Sequence, residues 1–135
     1  MTRKEAREEV FFLTFEKIFS KDSPEDILKL AIEVRDLLPD DYVEETFYGI
    51  CRQQEAIDQL ITDKAVGWKI NRISKTALAV LRLATYEILY VDSIPDSVSA
   101  NEAVELCKKY ATQEDGSFVN GILGSIVKSK AHSEL

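Results

Sequence analysis

The 135-residue chain has few of the residues from which most catalytic and metal sites are built. It contains one histidine and two cysteines, and Cys51 and Cys107 lie far apart, outside any CxxC motif. A zinc site therefore lacks ligands, and each cysteine is expected to be a small buried apolar residue. His132 lies in a polar C-terminal stretch, where a Ser-His or Cys-His catalytic arrangement is not expected. The sequence predicts no enzyme activity, no metal site and no cofactor.

Glycine and proline are also scarce, with five and three copies, and there is no glycine-rich phosphate loop, internal repeat or low-complexity tract. A hydrophobic fraction of 45% and a charged fraction of 30% are typical of one folded globular domain and argue against disorder. No apolar run approaches the roughly 20 residues that a membrane helix needs. The N-terminus also lacks the apolar segment of a signal peptide. We therefore expect a cytoplasmic protein without a membrane partner.

Positive charge is in short supply overall, because the formal net charge is −7. Residues 1–66 hold 16 acidic and 9 basic residues, and residues 67–135 hold 8 of each, which together give the chain totals of 24 and 17. Lysine and arginine supply most of the non-specific affinity of proteins for nucleic acid. The whole negative excess lies in the first half, so any RNA-binding surface must be local.

Apolar residues recur at three- and four-residue spacings nearly throughout, and no segment alternates as a strand would, so the sequence predicts an all-α fold. Ser23 can cap a helix that has Pro24 at its first position, and Asp96-Ser97 and Ser99-x-x-Glu102 are further helix-start signals. The predicted helices span about 3–19, 24 to before Pro39, 42–62, 73–91, 103–110 and from about 112 onward.

The predicted helix over 73–91 is apolar on all sides, which is typical of a helix surrounded by others. Its charged residues Arg82 and Glu87 should therefore be paired or lie near an edge. Gly121 and Gly124, inside the last helix, cost about 1 kcal/mol each relative to alanine. We expect close approach of a neighbouring helix or a bound ligand to explain them.

The Gly67-Trp68 pair marks a break between two packed helical subdomains. We place the N-terminal subdomain at about 1–66 and the C-terminal one at about 67–130. A short frayed tail, 131–135, follows. All of these segments belong to one domain, 1–135, because a chain of this length is expected to bury a single core.

The basic and acidic residues of the first predicted helix lie on opposite sides of it. At ~100° per residue, Arg3, Lys4 and Arg7 fall within one ~100° arc. Three cations on one edge could seat about two phosphates, and arginine can bind them bidentately. The alternative is a solvated helix start with pairs such as Lys4 with Glu8. The opposite side carries the acidic residues Glu5, Glu9 and Glu16.

The last helix offers a second candidate contact. Phe118 follows a polar, glycine-containing segment, 114–117, where an aromatic ring could be exposed. Such a ring could stack on an unpaired base, with a free energy of ~1–3 kcal/mol. The alternative is an ordinary core aromatic. Asn120 could hydrogen-bond a base edge or cap backbone, and its spacing does not decide between them.

Five short segments of the chain are distinctive when taken together. They are Arg3-Lys4-x-Ala6-Arg7-Glu8, Trp68-Lys69-Ile70-Asn71-Arg72-Ile73-Ser74, Leu81-Arg82-Leu83-Ala84-x-Tyr86-Glu87, Asn101-Glu102-Ala103-Val104-Glu105-Leu106 and Phe118-Val119-Asn120-Gly121-Ile122-Leu123. In this order and spacing they resemble the NusB family of bacterial transcription antitermination factors. The resemblance covers nearly the whole chain. It implies a single compact all-α domain of about seven helices in two packed bundles.

The resemblance also implies a function and partners. The family binds the boxA element of nascent ribosomal or phage RNA as a heterodimer with ribosomal protein NusE, and the complex joins RNA polymerase so that transcription runs through terminators. The free protein is expected to be a monomer or a homodimer. An acidic first half suits a basic ribosomal protein, and Glu44 and Glu45 are our candidates for that contact.

Carried over to this sequence, the family's basic N-terminal patch falls on Arg3, Lys4 and Arg7. Its RNA-contacting aromatic falls on Phe118, and the acidic residue four positions earlier falls on Glu114. With Asn120 these residues form the predicted RNA site.

The chain departs from the family pattern before the central Leu-Arg-Leu-Ala run. Ala77 and Leu78 stand where an acidic or polar residue and a basic residue are usual, so contacts through those side chains are not expected. Two alternatives stay open. One is a helical interaction module or homodimer without RNA affinity, and the other is an RNA-targeting domain cut from an RNA methyltransferase.

Overall fold

The computed structural model describes residues 1–133 and contains seven α-helices, one turn of 3-10 helix at Ile70–Arg72 and no strand in that range. This confirms the predicted all-α class. The helices are α1 Arg3–Phe19, α2 Pro24–Val34, α3 Asp41–Arg52, α4 Gln54–Lys64, α5 Lys75–Tyr90, α6 Asp96–Tyr110 and α7 Gln113–Ser133.

Helix α2 has the predicted N-terminal cap, but the helix ends earlier than expected. The Ser23 side chain accepts a hydrogen bond from the backbone N–H of Asp26 at 3.1 Å, and Pro24 occupies the first turn. The helix ends at Val34, five residues before Pro39, because Asp36 adopts a left-handed φ of 55° and turns the chain away. Proline was therefore the wrong stop signal for this helix.

The single long helix predicted over 42–62 is wrong, because two helices, α3 and α4, occupy this segment. They meet at Gln53, which has φ −99° and ψ 10° and lies outside both helices. The apolar spacing continues across the break, so the pattern gave no sign of it. The break lets the two helices face different partners: α3 packs against α1 and α5, and α4 packs against α5 and α7.

The last two helices both begin at predicted signals. Helix α6 starts at Asp96, the first of its two predicted signals, so it begins seven residues before the predicted span 103–110 and Ser99 lies within it. Helix α7 starts after Thr112, whose hydroxyl accepts a hydrogen bond from the Asp115 N–H at 3.0 Å. It continues to Ser133, so the first residues of the tail placed at 131–135 are helical, and the fraying predicted there stays a prediction. The rest of that tail, 134–135, lies outside the described residues.

Helix α5 is the centre of the molecule. It packs against α1, α3, α4, α6 and α7, and one cluster of buried apolar side chains joins all seven helices. The expectation that this helix is surrounded is therefore confirmed. Its Arg82 is paired as expected: the guanidinium donates to both carboxylate oxygens of Asp58 on α4, at 2.9 and 2.8 Å.

Gly67 has a positive φ of 82° at the expected break, and the division into subdomains there stays a prediction.

Candidate RNA-binding site

The capped start of α1 presents the first two predicted basic residues at the surface. Thr2 and Glu5 form reciprocal hydrogen bonds, each 3.1 Å long, that fix the first turn. The Arg3 guanidinium lies over the Tyr42 ring, 4.2 Å from its centroid. The Lys4 ammonium lies 3.5 Å from the Glu102 carboxylate on α6. Both basic side chains are exposed to solvent.

Arg7, the third predicted basic residue, is only 5% exposed and pairs with Glu87, which is fully buried on α5. Its Nε donates to both carboxylate oxygens of Glu87, at 2.9 and 3.2 Å. Ser99 on α6 donates to the same carboxylate at 2.9 Å, and the Tyr42 hydroxyl donates to it as well. The charge of Glu87 is thus fully hydrogen-bonded, which confirms the expectation that it would be paired.

Burial and the charge of Glu87 together set the ionisation of this network, which we call the Glu87 network. Burial by itself would lower the pKa of Arg7, but the attraction of Glu87 outweighs it and the pKa is raised above its ordinary value. Burial and the neighbouring Glu87 charge both raise the pKa of Tyr42 far above its usual range. Arg7 therefore stays cationic and Tyr42 stays a neutral donor. Arg7 has an observed structural role, and direct contact with RNA stays a prediction for it.

A cleft of about 240 Å³ separates α1 from the second half of α6. Two of its ion pairs run between the helices, since Lys109 binds Glu8 at 2.9 Å and Lys4 binds Glu102, and a third joins Lys108 to Glu105 within α6. The within-helix pair of Lys4 with Glu8, considered from the sequence, is not the one formed. The lining residues are Lys4, Arg7, Glu8, Glu102, Glu105, Leu106, Lys108 and Lys109.

A second concave region lies on the far side of α6, between α6 and α7. A shallow groove there is lined by Asn120 and Ser117 of α7 and by Asn101 and Val104 of α6. It shares Glu105 and Lys108 with the cleft between α1 and α6. The structure thus connects the predicted residues Lys4 and Asn120 through α6. Lys108 and Lys109 were missed, although adjacent lysines at the end of a predicted helix were a usable signal.

Phe118 lies on the other edge of the exposed face of α7, about 160° around the helix from Asn120. Its ring is half-buried and packs against Trp68 with centroids 5.5 Å apart. It is therefore neither a fully exposed ring nor a core aromatic. Glu114, one turn earlier, is exposed. Trp68 was part of a recognised segment, but its contact with Phe118 was not predicted.

The two glycines of α7 face open space. A Cβ atom built on Gly121 or Gly124 would meet nothing within 4 Å among the described residues. The close approach of a neighbouring helix that we expected is therefore wrong, and the other expected explanation, a bound ligand, stays a prediction. Ala77 and Leu78 are buried in the core, so neither side chain offers a surface contact.

A separate acidic surface lies on α3. Asp41, Glu44 and Glu45 line a shallow depression together with Tyr48, Arg52 and, on α5, Tyr86, so carboxylates outnumber cations there three to one. Glu44 and Glu45 are exposed and, among residues 1–133, form no ion pair. This surface is the structural counterpart of the acidic excess found in the first half of the sequence.

Comparison with known proteins identifies the family. The model of the NusB family matches residues 4–128. The chain belongs to the NusB family. The transcription antitermination protein NusB of Acetivibrio thermocellus is 44% identical over 135 residues, which cover 98% of this chain and 93% of that protein.

Solved NusB structures share the fold. Thermotoga (T.) maritima NusB superposes with a TM-score of 0.84 at 36% identity, covering 100% of this chain and 99% of that one. A crystal structure of antitermination factors NusB and NusE in complex with double-stranded RNA superposes with a TM-score of 0.84 at 28% identity, covering 94% and 96% of the two chains. The resemblance inferred from the five sequence segments is thereby confirmed.

Residues 1–133 contain neither a membrane-spanning helix nor a cluster of metal ligands. No helix in that range is long and apolar enough to cross a membrane. No three His, Cys, Asp or Glu side chains there are grouped so that they could hold a metal ion. The Cys107 thiol is buried, and burial raises its pKa to about 11, so it is protonated and poorly nucleophilic at neutral pH.

Proposed function

We propose that this chain is a non-enzymatic transcription antitermination factor that binds boxA RNA together with ribosomal protein NusE in the cytoplasm. The observation that carries the proposal is the connected surface across α1, α6 and α7, which holds Lys4, Lys108 and Asn120, on a fold shared with NusB over the whole chain. NusE is the partner of NusB in the similar solved complex. Joined to RNA polymerase, the RNA-bound pair would promote transcription through terminators.

The connected surface and the Phe118 ring, which lies on the other edge of α7, have different tasks. The cations near the α1 start, Arg3 and Lys4, attract RNA phosphates without regard to sequence. The Phe118 ring on α7 can stack on an unpaired base, and Asn120 can donate to or accept from a base edge. The network around Glu87 holds the α1 start against α3, α5 and α6, so that the cations keep a fixed position relative to α7. Arg7 acts mainly through that positioning.

Replacing Phe118 with alanine should weaken boxA RNA binding about 10-fold, since stacking of one base on an aromatic ring contributes roughly 1–3 kcal/mol. The measurement is fluorescence anisotropy of labelled boxA RNA with the NusE complex at fixed salt, beside a scrambled RNA. Phe19→Ala is the matched control, because Phe19 is exposed at the other end of α1 and packs against Phe15. Equal affinity of wild type and Phe118→Ala would contradict the assignment.

Reversing the charge of Glu44 and Glu45 to lysine should weaken the association with NusE at least several-fold. Ribosomal proteins that bind RNA are basic, and like charges across an interface are unfavourable. Isothermal titration calorimetry of NusE into the double variant provides the measurement. The double variant Glu16→Lys with Glu33→Lys, at exposed positions of α1 and α2, changes the net charge by the same amount and is the control. Unchanged affinity would mean that the acidic surface of α3 is simply solvated.

A further inference from the structure

The loop between α4 and α5 presents an exposed tryptophan. Trp68 is 52% exposed and follows Gly67, whose positive φ of 82° turns the chain outward. Its backbone N–H donates to the Ala65 carbonyl at 2.9 Å, so the turn that carries the indole is fixed. The loop therefore holds a large aromatic side chain at the surface in a defined position.

The indole is placed beside the proposed base-binding residue. Its ring centroid lies 5.5 Å from that of Phe118, with the planes tilted by 60°. Because the rings are tilted and not stacked, and half of Trp68 is exposed, the indole retains surface on which a base can stack. The Ser74 hydroxyl donates to Asp115 at 3.1 Å, which joins the end of this loop to the first turn of α7. Loop and helix therefore form one surface.

The charges of the loop favour a polyanion. Lys69, Arg72 and Lys75 are all exposed, and among the described residues none of them forms an ion pair. The acidic groups nearby are Glu114 and Asp115 on α7, so phosphates are expected on the loop side of the two rings. In contrast, the lysines of the cleft between α1 and α6 are already paired with carboxylates.

We infer that Trp68, with Lys69, Arg72 and Lys75, forms a second single-stranded RNA contact that extends the Phe118 site onto the α4–α5 loop. The inference rests on the proposed function, because it assigns further residues to the same RNA site. Two adjacent aromatic rings can hold two successive bases, and the three unpaired cations can neutralise the phosphates beside them. A basic protein partner does not suit this surface, since three unpaired cations would repel it.

The composition of the chain supplies a direct probe, because Trp68 is its single tryptophan. Titration of the chain with boxA RNA at low salt should quench tryptophan fluorescence, and the quenching should saturate together with the anisotropy of labelled RNA. Quenching is the signal expected when a base lies against the indole, whereas contacts confined to α1 or α6 would place no base there. The Trp68→Phe variant, which keeps a stacking surface, serves as the optical blank.

Single-residue variants distinguish the contribution of the Trp68 ring to RNA affinity from that of the loop cations. Trp68→Ala should weaken boxA binding about 10-fold, Trp68→Phe should retain most of the affinity, and Val66→Ala should have no effect although Val66 is exposed in the same loop. Arg72→Ala should reduce the slope of log affinity against log salt by roughly 0.7, the value for one single-strand phosphate contact. Lys29→Ala on α2 is its charge-matched control, and urea unfolding of each variant checks the fold.

Three outcomes would overturn the inference in distinguishable ways. If wild type binds boxA RNA without quenching and Trp68→Ala binds as wild type does, the Trp68 contact is excluded while the proposed function stands. If Trp68→Ala loses affinity for NusE but not for RNA, the loop is a protein contact. If wild type binds boxA and scrambled RNA equally poorly even with NusE, the proposed function and this inference both fail.

Discussion

Replacing Glu87 with alanine should lower the free energy of unfolding by about 3–5 kcal/mol, because the Arg7 guanidinium would be left buried without a counter-ion. Tyr42 and Ser99 would lose their hydrogen-bond acceptor in the same step. Leaving a buried donor unpaired carries its own desolvation penalty. The network joins α1, α3, α5 and α6, so the loss is expected to affect global unfolding and not one helix end.

Urea unfolding followed by circular dichroism measures this effect. Glu105→Ala is the control, since Glu105 forms an exposed pair with Lys108 and its loss should change stability by less than about 1 kcal/mol. The double variant Arg7→Leu with Glu87→Leu should be more stable than Glu87→Ala, because it removes both buried charges. A loss below about 1 kcal/mol in Glu87→Ala would show that water reaches the network.

Replacing Gly49 with alanine should also destabilise the fold, by about 1–3 kcal/mol. A Cβ atom at Gly49 would overlap the phenol ring of Tyr86, which packs across α3 from α5. Overpacking of this kind forces side chains off their preferred rotamers or moves the backbone. The gain in helix propensity from glycine to alanine, up to about 1 kcal/mol, offsets only part of that.

A double-mutant comparison tests the cause. In a Tyr86→Leu background, where the ring is absent, Gly49→Ala should lose most of its destabilising effect. Gly121→Ala is the matched control: the site is helical and open, so this variant should gain roughly 0.5–1 kcal/mol from propensity alone. Equal destabilisation by Gly49→Ala in both backgrounds would exclude the Tyr86 contact as the reason.

Features that depend on residues close together in the chain could be predicted from the sequence. Ser23 and Pro24 predicted the start of α2, Thr112 marked the start of α7, and the all-round apolar pattern identified α5 as the central helix. These signals depend on residues within a turn or two of one another, and the structure confirms them. The five NusB-like segments added the family and hence the architecture.

Features that depend on distant residues were not readable in the same way. Arg7 and Glu87 are 80 positions apart, so the helical arc showed three cations on one edge but not that one of them is buried. The contact of Trp68 with Phe118 likewise joins two segments that no local pattern relates. Gln53 separates α3 from α4 without a glycine or proline at the break, and the two helices pack against different partners, which no local pattern shows.

The ion pairs of the cleft between α1 and α6 affect how strongly such a protein binds RNA of unrelated sequence. Lys4 and Lys109 are already matched by Glu102 and Glu8, so any incoming phosphate must displace a carboxylate. That penalty falls equally on every RNA, whereas contacts to bases favour only a suitable sequence. In a cell where unrelated transcripts greatly outnumber the target, this subdued attraction for phosphate in the cleft would reduce binding to unrelated RNA.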